Sequence, residues 1–116
     1  MDERYRHLAG RLVGYSIDLK PGEIVLIEAT ETPPAFVRAL VEAVAERDGV
    51  PTVWLKDLSV LRAQLLAGKR ATFELTGDNE LACMKQVQAY IGVRGAKNSA
   101  ELCDVPHENL RLWEDL

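Results

Sequence analysis

The polar side chains best placed for chemistry follow three short apolar runs, at the points where these runs end. They are Glu28, Thr30, Glu31, Lys56, Asp57, Arg94 and Asn98. In open parallel sheets, ligands bind beyond the carboxyl ends of the strands, so these residues would share one edge if the runs are strands. We therefore take Arg94 and Asn98 as candidate contacts to a ligand or to a second domain. The alternative is structural: a salt bridge from Arg94 and a loop-capping role for Asn98.

No pattern in the sequence predicts a catalytic residue. Glu28 and Glu31 could be read as an acid/base pair, but charged residues at a strand end are usually solvated. No G-x-S-x-G motif occurs, and neither Cys83 nor Cys103 follows a predicted strand at the start of a helix, where the helix dipole would lower the pKa of a thiol. Cys83 falls in a predicted helix, which favours an inert core thiol.

No sequence motif supports a metal site or a phosphate site. Cys103 and His107 are four residues apart, but Pro106 lies between them and no second ligand pair is near in sequence. Structural zinc takes four protein ligands, and the H-E-x-x-H helix of zinc proteases is absent. The segment 92–95 has two glycines after the third apolar run but neither the dinucleotide nor the P-loop pattern. We expect these glycines to allow close packing at the end of a strand.

The first half of the chain predicts a helix and then a strand-helix-strand unit. Residues 3–16 have helical apolar spacing, with Asp2 as a candidate N-cap. Lys20-Pro21-Gly22-Glu23 is typical of a type II turn. The apolar runs at 24–27 and 52–55 predict buried strands. Between them, Thr32 is a candidate N-cap, Pro33 a candidate first helical residue and Gly49 the helix stop. A strand-helix-strand unit of this length implies two parallel strands with a right-handed crossover.

The second half predicts two more helices and a third strand. Residues 59–67 form a short helix that ends at Gly68, and a longer helix covers about 73–88, with an interruption at Gly77. Inward-facing positions of that longer helix are Leu81, Met84 and Val87. The third strand is 89–93, and Pro106 begins a last helix. We therefore predict one α/β domain over residues 1–116, with about three parallel strands in the order β-α-β-α-α-β, flanked by helices.

Composition narrows the class of protein. The chain has 116 residues, a net charge of −4 and 47% hydrophobic residues, which is ordinary for a soluble domain. Its basic residues form no stripe, which argues against nucleic-acid binding. The apolar run 24–27 is too short to span a membrane. Two cysteines and a charged N-terminus without a signal-peptide pattern favour the cytoplasm.

Two features favour an incomplete sheet. Three parallel strands make a small sheet, and the final predicted helix reaches Leu116 without a C-cap signal. We therefore expect this chain to be part of a longer protein. The alternative is a complete chain with a frayed C-terminal helix.

An ordered set of segments resembles the N-terminal region of the thermophilic aminopeptidases, the group of aminopeptidase T, AmpS and PepS. The resemblance covers about residues 5–113, and each segment is structural in kind. The segments are Leu12–Ser16, Lys20–Ile27, Phe36–Leu55, Ala89–Gly95 through Asn98, Glu101-Leu102 and Asp104-Val105.

This resemblance implies the first domain of a two-domain enzyme that releases N-terminal amino acids from peptides with two divalent metal ions, such as zinc or cobalt. Members of the group are typically homodimers, and their metal ligands belong to the C-terminal half. No position of this sequence matches those ligands, so the resemblance assigns no catalytic or metal-binding residue here. It implies a chain that is inactive alone, binds no metal itself, and has the missing C-terminal catalytic domain as its partner.

Two other functions remain open on the sequence. One is a stand-alone α/β module that binds a small ligand or mediates oligomerisation without enzymatic activity. The other is a receiver-like signalling domain, which is weakened because the first strand ends in Glu28-Ala29-Thr30, without the paired aspartates of a phosphoacceptor site.

Overall fold

Three parallel strands form the centre of the fold. A computed structural model describes residues 3–95, in which the strands are β1 (Ile24–Thr30), β2 (Val50–Lys56) and β3 (Ala89–Arg94). β1 lies in the middle, so the order across the sheet is β2-β1-β3, and both pairs are parallel. This confirms the predicted α/β class. β1 and β2 are both longer than predicted, so Glu28 and Thr30 belong to β1 and do not follow it.

Four helices accompany these strands in the described part of the chain. They are α1 (Glu3–Arg11), α2 (Pro34–Glu46), α3 (Leu58–Ala67) and α4 (Arg70–Met84). The helix predicted over 3–16 has the right length, but it is not α-helical throughout. α1 continues into a π-helical turn over Leu12–Ser16. The predicted type II turn is confirmed: Gly22 has φ +81°, and the amide of Glu23 donates to the carbonyl of Lys20 at 3.2 Å.

Both predicted ends of α2 need correction. The N-cap is Pro33, not Thr32, and it provides no side-chain hydrogen bond. The hydroxyl of Thr32 instead donates to the carbonyl oxygens of Thr30 and Val93, at 3.1 and 3.3 Å, and so ties β1 to β3. At the other end, the left-handed residue is Asp48, with φ +59°, and not Gly49.

The predictions for α4 were wrong in two respects. The helix begins at Arg70 and ends at Met84, and Gly77 does not interrupt it. Leu81 and Met84 were expected to face inward but are 56% and 42% exposed. The buried side chain of this helix is Phe73, near its beginning.

The sheet buries apolar side chains on both faces. On one face, Val25 and Ile27 of β1 and Ile91 of β3 join the core formed with α1 and α2. Because successive side chains of a strand alternate between faces, the fully buried Leu26 points to the opposite face. Leu65 of α3 and Phe73 of α4 are also buried outside the first core cluster, which agrees with helical cover on that second face.

Within residues 3–95, β2 is an edge strand of the sheet, and its backbone N–H and C=O groups point alternately toward β1 and away from it. The amide of Val50 donates to the carbonyl of Glu23 at 2.8 Å, and the carbonyl of Lys56 accepts from Glu31 at 3.1 Å, so the even-numbered residues bond toward β1. The odd-numbered residues, including Pro51, therefore direct their backbone groups outward.

The remaining expectations concern residues beyond the described range. The helix predicted from Pro106, the pair Cys103 and His107, and the first helix's N-cap at Asp2 all lie outside residues 3–95. None of the helices within that range is both long enough and apolar enough to span a membrane.

Candidate functional site

An open cleft of about 710 Å³ lies at the carboxyl end of the sheet, on the face opposite α1 and α2. Its lining combines strand residues with residues of α3 and α4. The charged and polar members are Glu28, Thr30, Lys56, Asp57, Glu80, Tyr90 and Arg94. Five of the residues singled out from the sequence thus meet here, as expected for strand ends that share one edge.

Strand register explains why these residues are neighbours. β1 pairs Thr30 with Lys56 on one side and with Arg94 on the other. Glu28 lies two residues before Thr30 and therefore on the same face. Tyr90 lies on that face of β3 for the same reason, two positions before Gly92, the partner of Glu28.

Lys56 is the centre of a charge network in the cleft. Its ammonium contacts the carboxylate of Glu28 and lies 3.1 Å from Oε2 of Glu80. Tyr90 donates its hydroxyl to Oε1 of Glu28 at 2.5 Å, so both oxygens of Glu28 are engaged. Lys56 Nζ also lies 5.5 Å from the centre of the Trp54 ring, within the range of a cation–π contact. The network joins all three strands and α4.

The network stabilises the charged forms of Glu28 and Lys56. Burial alone would raise the pKa of Glu28, but hydrogen bonds from Lys56 and Tyr90 outweigh it, and the pKa of the carboxyl lies below its ordinary value. Burial likewise opposes the charge of Lys56, yet Glu28 and Glu80 together raise the pKa of the ammonium. The hydrogen bond to Glu28, with burial, raises the pKa of Tyr90 to about 12.

These shifts give a prediction for acid stability. Because the pKa of Glu28 is lowered in the folded chain, its contribution to stability is present above the unfolded pKa, near 4.5, and is lost as the pH falls through the folded pKa. We expect Glu28→Gln to lower the urea midpoint at pH 6 and to have a smaller effect at pH 3, below the unfolded pKa. Glu42→Gln, which removes an exposed carboxylate of α2, is the control. A gap between wild type and Glu28→Gln that stays constant from pH 6 to pH 3 would contradict the prediction.

Two glycines shape the end of β3 beside this network. At Gly92, a Cβ atom would lie 2.7 Å from the hydroxyl oxygen of Tyr90, so the missing side chain leaves the room in which Tyr90 reaches Glu28. At Gly95, a Cβ atom would lie 1.8 Å from the carbonyl oxygen of Glu31. This confirms the expectation that these glycines allow close packing at the strand end.

The other acidic residues near the cleft have structural partners. Glu31 accepts a hydrogen bond from the amide of Leu58 at 2.8 Å, so it does not form the acid/base pair with Glu28 considered above. Asp57 is the N-cap of α3 and accepts from the amides of Ser59 and Val60. Contrary to the expectation of a solvated side chain, Glu28 is ion-paired and partly buried.

The described residues do not fit a metal ion. Residues 3–95 contain no group of three or more His, Cys, Asp or Glu side chains arranged to hold one. The two carboxylates that approach each other in the cleft, Glu28 and Glu80, already share the ammonium of Lys56. A metal at that point would have to displace a cation of the protein itself.

Of the two candidate contact residues, the structure describes Arg94 but not Asn98. Arg94 lines the cleft, is exposed, and forms no hydrogen bond or ion pair within residues 3–95, so the alternative of a structural salt bridge is not seen there. Asn98 lies outside the described residues. The sequence did not point to Tyr90 or Glu80 as site residues. It indicates Tyr90 only as part of the third strand, and Glu80 only as part of a helix.

Comparison with known proteins rests on fold. No family model matches the chain, and no curated protein matches it in sequence. Among solved structures, the chain is similar to wild-type AmpT from Thermus thermophilus, with a TM-score of 0.71 and 20% sequence identity. The matched region is 97% of this chain but 30% of the AmpT chain. The chain therefore has the fold of a part of AmpT and spans less than a third of that protein's length.

Proposed function

We propose that this chain is a non-catalytic N-terminal domain of a metal-dependent aminopeptidase, whose C-terminal domain releases N-terminal amino acids from peptides. The observation that carries the proposal is the fold shared with AmpT over 97% of this chain and 30% of the other. The name AmpT agrees with the aminopeptidase T group that the ordered sequence segments resemble. Sequence order and three-dimensional fold are two separate lines of support.

The proposal also agrees with the chemistry of the cleft. Lys56 and Tyr90 bind the carboxylate of Glu28, and a backbone amide donates to Glu31, so these two carboxylates do not form an acid/base pair. Two divalent ions held by the C-terminal domain would lower the pKa of a bound water and polarise the scissile carbonyl. Residues 3–95 would form one wall of the substrate cleft and part of a homodimer. The enzyme would act in the cytoplasm.

The size of the native polypeptide and its activity test this proposal. An antibody against this chain should detect a product several-fold heavier than 12.9 kDa in the source cells. The purified long product should release N-terminal residues from peptides and lose that activity with a chelator, while the 116-residue chain alone stays inactive. A native product of 12.9 kDa would overturn the proposal and favour a stand-alone binding or oligomerisation module.

A further inference from the structure

Two cations line the cleft, Lys56 and Arg94, and Arg94 is the one that the charge network does not use. Its side chain is exposed at the carboxyl end of β3, and it has no hydrogen bond or ion pair to another residue within 3–95. It is nevertheless close enough to influence the pKa values of Glu28 and Tyr90. A guanidinium in this position can form a two-pronged hydrogen bond with a planar carboxylate.

Glu80 provides the complementary charge. It contacts Lys56 through Oε2, and its Oε1 has no partner within residues 3–95. Its side chain is 30% exposed, so a ligand can reach it from the cleft. A protonated amine is the natural partner for this oxygen.

The balance of charge in the cleft disfavours a dianionic ligand. Glu28, Asp57 and Glu80 contribute three negative charges against two positive charges from Lys56 and Arg94, so the lining has a net charge of −1. A dianion such as phosphate would meet repulsion from three carboxylates. A ligand with one carboxylate and one ammonium has no net charge and offers one group to Arg94 and the other to Glu80.

We propose that the cleft binds a small zwitterion of the amino-acid class, with its carboxylate on Arg94 and its ammonium on Glu80. The volume of about 710 Å³ lies within the usual range for small-molecule sites, and the apolar side chains of Leu58 and Leu61 line its wall. This inference does not rest on the proposed function, because the side chains that carry it lie within residues 3–95 and it is tested on this chain alone.

The test is a titration of the ¹⁵N-labelled 116-residue chain with ω-amino acids, from glycine to 6-aminohexanoate, followed by amide NMR. We expect shifts concentrated at Lys56 and at 92–94, strongest for the compound whose two charges match the distance between Arg94 and Glu80. The primary amide of the best compound lacks the carboxylate and its N-acetyl derivative lacks the ammonium, and each of these capped compounds should bind at least about tenfold more weakly than the compound itself.

Substitutions of Arg94 and Glu80 test the carboxylate contact and the ammonium contact separately. Arg94→Gln and Glu80→Gln should each weaken binding of the best compound about tenfold, while Arg70→Gln, which removes an arginine paired with Glu74 on α4, should leave it unchanged. Unchanged melting temperatures show that each variant is folded. The proposal is overturned if no amino acid shifts the cleft amides at about 10 mM, if the capped compounds or inorganic phosphate bind equally well, or if Arg94→Gln binds like wild type. None of these results bears on the size or peptidase activity of a longer native product.

Discussion

Gly95→Ala should destabilise the chain by about 2–4 kcal/mol, because the new methyl group has no space. A Cβ atom at this position would lie 1.8 Å from the carbonyl oxygen of Glu31 and 2.8 Å from its carbonyl carbon. Both are backbone atoms, so no side chain can rotate away. The amide of Gly95 also donates to the carbonyl of Thr30 at 2.9 Å, and moving the strand end apart would break this bond between β3 and β1.

Gly10→Ala is the matched control for this substitution. Gly10 lies in α1, and a Cβ atom there would have no atom within 4 Å outside its own helix backbone. Since alanine is favoured over glycine in a helix by about 1 kcal/mol, this variant should be neutral or slightly more stable. Urea unfolding of both variants measures the difference. If Gly95→Ala unfolds at the same urea concentration as wild type, the close approach of residues 31 and 95 is wrong.

Leu65→Ala should cost about 2–4 kcal/mol, since Leu65 is the fully buried side chain of α3. Truncation removes buried apolar surface and leaves a cavity beneath α3, whose first residues form part of the cleft wall. The loss should therefore also loosen that wall. We expect faster amide exchange over 58–67 in this variant, in addition to the lower urea midpoint.

The neighbouring residue offers a sharp comparison. Leu66 has the same side chain one position later but is 42% exposed, so Leu66→Ala should cost less than about 1 kcal/mol. Equal losses for the two variants would show that α3 does not pack on the sheet through Leu65. The rotational setting of α3 would then need revision, while the β2-β1-β3 sheet would be unaffected.

Local patterns were sufficient for most of the fold. The strand-helix-strand unit was predictable because its strands and helix have distinct apolar periods. Gly22 before β1 and Gly68 at the end of α3 were predictable as turn and stop, and both have positive φ values. The face of α4 was not predictable, because its apolar residues do not form one stripe. Phe73 is buried, whereas Leu75, Leu81 and Met84 are exposed, and only tertiary packing decides between them.

The location of the site was predictable from the sequence, but the contacts within it were not. Parallel strands bring their carboxyl ends to one edge, which was enough to group Glu28, Lys56 and Arg94. The contact between Tyr90 and Glu28 depends on β3 being next to β1, and strand order is not encoded in any local pattern. Glu80 depends in turn on how α4 lies over the sheet.

Pro51 makes the two outer edges of the sheet unequal in the backbone hydrogen-bond donors that they present. Backbone groups of odd-numbered residues on β2 point away from β1, and Pro51 has no N–H to present there. The outer rim of β2 therefore lacks one of the donors that an incoming strand would need, a recognised safeguard against edge-to-edge aggregation. β3 contains no proline, and its outer rim keeps every donor over residues 89–94. Any further strand, from the same polypeptide or from another molecule, should find a better template on β3 than on β2.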